Sequence, residues 1–406
     1  MKKRSSEIAR RKNNLVLPLV GITTLLVGFT AAVIVRFPLK TIDWNGGVKP
    51  SSVEFMNAVA YNQHGGTEEL IFGKYPKPTI TGHNKNDQRI LVRVHASSVN
   101  PVDFKFRRIH QNIPDWIIPK PKIPGADLAG VVVESALPQF RIGDRVAAMM
   151  PLIGSRWGSH SEYVSIDPSL VAKIDDSVDY ASAASLPLVS LTVIQSLEKL
   201  RAPTRGKKIL IHAGAGGVGT FGIQYAKHVL GMYVATTASK EKAPFLKNLG
   251  ADLVIDYRTQ DFTKIVKDYD AVLDTMSFLY EARTLQRNSH VLKKNGHYLN
   301  IMSSDWTTLS NGMENALGLG SVWNLARHKL VNIMLPGMVL PRYDFCMVEP
   351  NGKQLQLALD LLANGKIQSV IDQTFPLPKV ADAHARLEEG HVTGKIAIAH
   401  IHDDDS

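Results

Sequence analysis

The stretch Lys207–Leu230, KKILIHAGAGGVGTFGIQYAKHVL, constrains this chain more than any other. An apolar run, Ile209-Leu210-Ile211, leads into Ala213-Gly214-Ala215-Gly216-Gly217-Val218-Gly219. An amphipathic pattern follows, with Phe221, Ile223, Tyr225, Ala226 and Val229 at its apolar positions. The order is strand, tight turn, helix. Glycines let the backbone of such a turn approach a pyrophosphate, and the helix N-terminus then offers free N–H groups and the positive end of its dipole. A lone Gly-x-Gly-x-x-Gly is weak evidence, but here its three structural parts agree. The stretch predicts a dinucleotide site whose cradle is made by Ala213, Gly214, Gly216, Gly217, Val218 and Gly219.

The surrounding pattern is that of an α/β protein. With 406 residues the chain is long enough for two domains. Over residues 55–176, short β-like runs (Ile90–Val94, Leu128–Val133, Arg145–Ala148) are broken by Gly, Pro and Asn, which predicts a mostly-β domain. Over residues 177–345, helices and strands alternate. Ala181–Leu200 reads as a helix, and strands are expected at Ile209–His212, Tyr233–Thr236, Leu253–Ile255, Ala271–Leu273 and Tyr298–Ile301. That alternation predicts a doubly wound parallel sheet. Residues 346–402 hold a helix at Gln354–Leu362, then short strands around a helix at Val380–Glu388.

The first residues are a separate matter. Residues 1–14 form a basic tail carrying six of the positive charges, Lys2, Lys3, Arg4, Arg10, Arg11 and Lys12. Much of the net charge of +10 is therefore local, and no nucleic-acid partner is expected. Leu15–Val35 is 21 residues without a charge, long enough to cross ~30 Å of hydrocarbon as a helix. The reading favoured here is a retained single-pass membrane anchor through residues 15–35, in a mitochondrial or endomembrane location, with residues 36–54 as a linker. A cleaved signal peptide or a mitochondrial presequence is the alternative. The single cysteine, Cys346, can make neither an intrachain disulfide nor a multi-thiolate zinc site.

The strand after the glycine turn identifies the cofactor. It ends Ala235-Thr236-Thr237-Ala238-Ser239-Lys240-Glu241-Lys242, with no acid at the strand end, where an NAD site would hold the ribose 2′-OH. Ser239, Lys240 and Lys242 can instead meet a 2′-phosphate, which predicts NADPH. An exposed helix start is the plain structural alternative for the lysines.

Several segments, taken in order, resemble the medium-chain dehydrogenase/reductase superfamily and within it the zinc-independent quinone oxidoreductase branch. They are Ser98-Val99-Asn100-Pro101-Val102-Asp103, Pro124-Gly125-Ala126-Asp127-Leu128-Ala129-Gly130-Val131-Val132, Phe140-Arg141-Ile142-Gly143-Asp144-Arg145-Val146, Ala183-Ala184-Ser185-Leu186-Pro187-Leu188, the glycine turn, Leu249-Gly250-Ala251-Asp252 with Ile255-Asp256-Tyr257, and Gly394-Lys395-Ile396. The resemblance implies a GroES-like mostly-β catalytic domain, a Rossmann doubly wound parallel sheet, and a cofactor cleft between them. Zinc members of the superfamily have Cys at the position of Val102 and Gly-His-Glu where this chain has Gly125-Ala126-Asp127. One aspartate cannot hold a catalytic zinc, so no metal is expected.

The implied chemistry is hydride transfer from NADPH to a quinone or an α,β-unsaturated carbonyl. By the same resemblance, Asn100 and Asp103 face the nicotinamide side, Thr192 lies near its carboxamide, and Tyr257 packs near the 2′-phosphate. The plain alternatives are that Asn100 caps a turn before Pro101, Asp103 starts a helix, and Thr192 is ordinary helix surface.

Two positions depart from the family pattern. Lys105 stands where several quinone reductases carry tyrosine, and is a third candidate catalytic residue. Ser277, in Asp274-Thr275-Met276-Ser277, stands where glycine is frequent. These departures and the apolar N-terminal run keep a second function open: a weak or inactive family member acting as a membrane trafficking or scaffold protein. The apolar run Val331–Leu340 is either a homodimer edge or core. Trp116 and Trp157 are candidates for the substrate pocket.

Overall fold

The computed structural model describes residues 53–80, 88–108, 118–201, 203–276, 278–286, 289–301 and 341–401. The first described element is an antiparallel ribbon, β1 (Phe55–Ala60) on β2 (Ile71–Pro76). A larger sheet follows: β3 (Ile90–Val99), α1 (Pro101–Arg108), β4 (Asp127–Glu134), β5 (Arg145–Met149), β6 (Tyr163–Ile166) and β7 (Val171–Lys173). Ile90, Val92 and Val94 of β3 are fully buried and pack with Leu128, Val132, Val146, Val164 and Ile166. That every-other-residue spacing is the period of a strand with one face turned into a core.

Two helices lead out of this sheet, α2 (Tyr180–Ala184) and α3 (Pro187–Glu198). The sequence predicts one helix over Ala181–Leu200. It breaks because Pro187 has no N–H to donate and its ring excludes a carbonyl one turn back, so Pro187 becomes the first residue of a new helix. Asp179 caps α2, its carboxylate accepting from Ser182 N at 2.8 Å.

The second sheet contains β8 (Lys208–Ile211), α4 (Gly217–Gln224), β9 (Tyr233–Ala238), α5 (Ala243–Asn248), β10 (Leu253–Asp256), α6 (Phe262–Ile265), β11 (Tyr269–Asp274), α7 (Phe278–Leu285), β12 (Leu292–Ile301) and β13 (Arg342–Cys346). Its strands are all parallel and lie in the order β10-β9-β8-β11-β12-β13. In order of appearance that is 3-2-1-4-5-6, the doubly wound arrangement whose crevice opens at the carboxyl ends of β8 and β11. Ile209, Leu210 and Ile211 are fully buried, because both faces of a parallel sheet are covered. The expected strand at Ile209–His212 starts one residue earlier and ends at Ile211, since His212 already belongs to the glycine turn.

The chain then returns through α8 (Gly352–Ala363), β14 (Ile371–Pro376), α9 (Val380–Glu388) and β15 (Lys395–Ala399). β15 pairs with β3, so the first sheet runs β14-β15-β3-β4-β5-β7 with β6 beside β3. The two sheets are joined by specific contacts. Gln224 Nε2 donates to Gln368 O at 3.0 Å, and Gln368 N donates to Gln224 Oε1 at 2.8 Å.

The expected membrane placement is corrected here. No helix among the described residues is long and apolar enough to cross a membrane. The longest, α3 and α8, have 12 residues each, about 18 Å against the ~30 Å required. The run at 15–35 on which the expectation rested lies outside the described residues.

Among the described residues, three histidines are fully buried, His160, His212 and His384. Neither ring nitrogen of His384 has a protein hydrogen-bond partner. Burial, reinforced by the charge of Arg107, holds its pKa down to about 3. Burial does the same to His212, also to about 3, and takes His160 well below 6.5. These imidazoles stay neutral in the fold while an unfolded chain binds protons near pH 6.5. Stability is therefore greatest above pH 6.5 and falls as pH drops from there toward 3, by up to about 1.4 kcal/mol per pH unit for each histidine. In His384→Phe, the stability lost between pH 7.5 and 5 should shrink by up to about 2 kcal/mol, measured by urea unfolding. An unchanged pH dependence would mean that His384 is already charged in the fold.

Candidate active site

The glycine turn is held by β9. Ala213 N donates to Thr237 Oγ1 at 3.1 Å and Gly214 N to Thr237 O at 2.9 Å. These bonds hold Ala213 at φ 51°, a left-handed conformation unusual for a residue with a side chain. A Cβ at Gly214 would sit 2.1 Å from Thr236 Oγ1, whose hydroxyl donates to Ile211 O at 2.7 Å. A Cβ at Gly219 would sit 2.3 Å from the carbonyl oxygen of Ala213. Glycine at these two positions is what lets α4 start directly against the turn. Gly216 is the N-cap of α4 and has no side chain to cap it. The first-turn N–H groups therefore have no intrahelical partner and suit an anion. Gly216, Gly217 and Val218 are partly exposed there, and Gly214 and Gly219 are buried beneath them.

At the far end of β9, Ser239 precedes a single 3₁₀ turn, Lys240–Lys242. Ser239 and Lys242 are half-buried and Lys240 is exposed. Tyr257, which follows β10, is 45% exposed, and its N–H donates to Ala238 O at 3.2 Å. Arg258, which the sequence reading did not single out, joins this group. Its guanidinium lies 5.7 Å from the Tyr257 ring centroid and 3.5 Å from Glu241 Oε2. The ends of β9 and β10 thus gather Lys240, Lys242 and Arg258, and the turn's one acid is engaged with Arg258.

A buried polar cluster lies behind the cradle. Asp127 opens β4 and is fully buried. Its Oδ2 accepts from Ser98 Oγ at 2.7 Å, Asn100 Nδ2 at 2.8 Å and Lys395 Nζ at 3.3 Å, and its Oδ1 accepts from Leu188 N at 2.8 Å. Lys395 Nζ also donates to Asn100 Oδ1 at 2.5 Å and Val99 O at 3.0 Å. Burial pulls the Lys395 pKa down, against the opposing pull of Asp127 and Asp103. Asp103 accepts from Asn100 N at 2.8 Å and Gly125 N at 3.2 Å. Burial raises its pKa to about 7, outweighing those two hydrogen bonds.

The cluster and the cradle meet at one point. Gly394 N donates to Ala215 O at 2.8 Å, and Gly394 forms a parallel bridge with Gly216. The structure thus brings Asn100, Asp103 and the glycine turn together. Thr192, on α3, is 5% exposed, and its hydroxyl donates one turn back to Leu188 O at 2.7 Å. Lys105 is half-buried on α1, two residues past Asp103. Trp157 packs on Met56, Ala58, Ala60 and Ile123 in the β-domain core. Ser277, Trp116 and Val331–Leu340 lie outside the described residues.

Asp127 and Lys395 belong to the segments that carry the family resemblance, and sequence reasoning alone assigns them no role. A signal is present: each is a charge at the first position of a strand whose following residues are apolar, Leu-Ala-Gly-Val-Val-Val after Asp127 and Ile-Ala-Ile-Ala after Lys395. Among the described residues, no group of three or more His, Cys, Asp or Glu is placed to hold a metal ion.

Residues 86–176 match the alcohol dehydrogenase GroES-like domain, and residues 249–398 match the zinc-binding dehydrogenase family. The architecture is accordingly a GroES-like domain with a Rossmann-type α/β domain. The chain is 33% identical to an NADPH-dependent alkenal/one oxidoreductase, chloroplastic, of Arabidopsis thaliana, across 84% of this chain and 79% of the relative. It is 31% identical to a chloroplast envelope quinone oxidoreductase homolog of the same plant, across 85% and 98%. The quinone oxidoreductase from Coxiella burnetii superposes with a TM-score of 0.70 at 28% identity, covering 85% of this chain and 99% of that one.

A Gly219→Ala variant tests the cradle. Its methyl group must displace the Ala213 carbonyl or the start of α4. Affinity for the dinucleotide should fall at least about tenfold, about 1.4 kcal/mol, in a fluorescence titration, with far-UV circular dichroism retained. Unchanged affinity would show that the turn is not where the pyrophosphate binds.

Proposed function

This chain belongs to the medium-chain dehydrogenase/reductase family, and we propose that it is an NADPH-dependent reductase of quinones or α,β-unsaturated carbonyls that works without a metal. The observation that carries the reading is the glycine cradle set beside the basic ends of β9 and β10. Gly214 to Gly219 would hold the pyrophosphate. Ser239, Lys240, Lys242 and Tyr257 would hold the 2′-phosphate. When bound, NADPH supplies the hydride. The names of the relatives, an alkenal/one oxidoreductase and a quinone oxidoreductase homolog, point to a conjugated acceptor.

One matched family is described as zinc-binding, but the donor chemistry here supports the metal-free reading. An ionised carboxylate has about four acceptor sites. In Asp127, Oδ2 already accepts from Ser98, Asn100 and Lys395 and Oδ1 from Leu188 N, so an ammonium stands where a metal cation would approach Oδ2. Val102 and Ala126 stand where the zinc members have metal ligands.

A conjugated acceptor gathers negative charge on oxygen as hydride arrives and then takes a proton. Asp103 keeps its proton up to about pH 7, which suits it to give that proton in the proposed reaction. Lys105, on the same helix, would offset the charge. Asn100 acts by position, because both ends of its carboxamide are engaged within the protein.

The test follows NADPH and NADH absorbance with the full chain and a panel of quinones and enones. Turnover should need NADPH, with NADH at least about tenfold poorer in kcat/KM. In Lys240→Ala/Lys242→Ala, KM for NADPH should rise about tenfold or more and KM for NADH should barely change, since charge-assisted hydrogen bonds contribute about 1.5–3 kcal/mol. Equal use of both cofactors would overturn the 2′-phosphate assignment. Tight NADPH binding with no turnover on any acceptor would overturn the reductase reading. The kcat should fall as pH rises through about 7 and Asp103 loses its proton. Asp103→Asn should lower kcat and abolish that limb of the profile.

A further inference from the structure

We infer that Lys395 is a positioning residue that ties the orientation of Asn100 to the occupied state of the cofactor turn. The inference rests on the proposed dinucleotide site and adds to it a residue with no role so far.

Lys395 opens β15 and is followed by Ile396, Ala397 and Ile398, all fully buried. It is itself only 5% exposed. Burying an ammonium is costly unless every N–H finds an acceptor. Here the three donors of the head group have three acceptors: Val99 O, Asn100 Oδ1 and Asp127 Oδ2. Two apolar residues of similar volume would serve stability at least as well as this buried pair. The arrangement instead provides direction. The Lys395 head group donates, and Asp127 Oδ2 already accepts from Ser98 and Lys395, so the Asn100 carboxamide has a single satisfied orientation, with Oδ1 toward Lys395 and Nδ2 toward Asp127. Without the ammonium, Oδ1 of a residue 1% exposed loses its donor.

The same short segment touches the cofactor turn. Gly394, the residue before, donates its N–H to Ala215 O at 2.8 Å and bridges Gly216. The Lys395 stem runs beneath Gly217, where a Cβ would lie 2.8 Å from Lys395 Cδ. Gly394 cannot easily give way. Its φ is +74°, and a Cβ there would lie 2.1 Å from Val370 O. Two adjacent residues therefore hold the cradle by backbone and the substrate-side asparagine by side chain, with no loop between them to absorb a shift.

The experiment uses the full chain, NADPH, and the best acceptor of the panel. Lys395→Met keeps the stem and removes the charge, and Lys395→Arg keeps the charge. In Lys395→Met, Kd for NADPH should stay within about threefold, while kcat at saturating NADPH falls tenfold or more. Lys395→Arg should recover much of kcat. Hydrogen exchange supplies a readout independent of turnover. In the wild type, NADPH should protect peptides covering both Ala213–Gly222 and Ser97–Arg108. In Lys395→Met the first protection should persist and the second should be lost. If Lys395→Met fails to fold, Lys395→Met/Asp127→Asn removes the stranded charge and should show the same loss.

Unchanged kcat, or retained protection of Ser97–Arg108 in the variant, would overturn the inference while leaving the reductase reading intact. Wild-type protection of both segments without turnover would overturn the reductase reading and leave the coupling standing. No NADPH binding by the wild type would overturn both.

Discussion

The carboxylate of Asp127 is the point on which the site depends. It accepts hydrogen bonds from β3 through Ser98, from the β3–α1 corner through Asn100, from the start of α3 through the Leu188 N–H, and from β15 through Lys395. Three stretches far apart in the chain, at residues 98–100, 188 and 395, are thereby fixed to one buried carboxyl group. A buried pair of this kind contributes little net stability over apolar residues of the same volume, but removing one partner costs about 3–5 kcal/mol. Against a typical total of about 5–15 kcal/mol, that penalty makes the set effectively inseparable. It also explains why an aspartate can stand at a position where zinc members of the family carry a metal ligand. Both of its oxygens accept from protein donors that hold the β domain to the helix that leads into the nucleotide domain.

What the sequence made legible was local. The cradle could be read because its glycines stand close together in the chain: Gly219 is required by the approach of the Ala213 carbonyl within the same turn, and Gly214 by the Thr236 side chain of the neighbouring strand β9. The parallel strands could be read because burial on both faces makes them unbroken apolar runs, as in Ile209-Leu210-Ile211. The break between α2 and α3 was legible too, since Pro187 carries it, yet a continuous helix was drawn through it. The basic turn Ser239–Lys242 was found from its spacing. Arg258 was not, because its partner Glu241 is on another strand's loop.

The pairing that organises the substrate side lies beyond any local pattern. Lys395 and Asp127 are 268 residues apart, and only the return of the chain as β15 beside β3 brings them together. The sequence marks each as a charge set directly before an apolar run, which says that a partner exists without saying which. The membrane expectation failed for a related reason. It rested on one uncharged run read in isolation, and none of the described elements has the length or apolarity to support it.

Asn100 is held by more than its neighbours in sequence. Its N–H donates to the Asp103 carboxyl group, while its side chain is divided between the Lys395 head group, which donates to it, and the Asp127 carboxyl group, which accepts from it. The raised pKa of Asp103 has a different origin. Burial, with the neighbouring Asp127 carboxylate, opposes ionisation more strongly than the Asn100 and Gly125 N–H groups and Lys395 favour it. Lys395 thus orients Asn100 while pulling against the Asp103 proton, which burial holds in place.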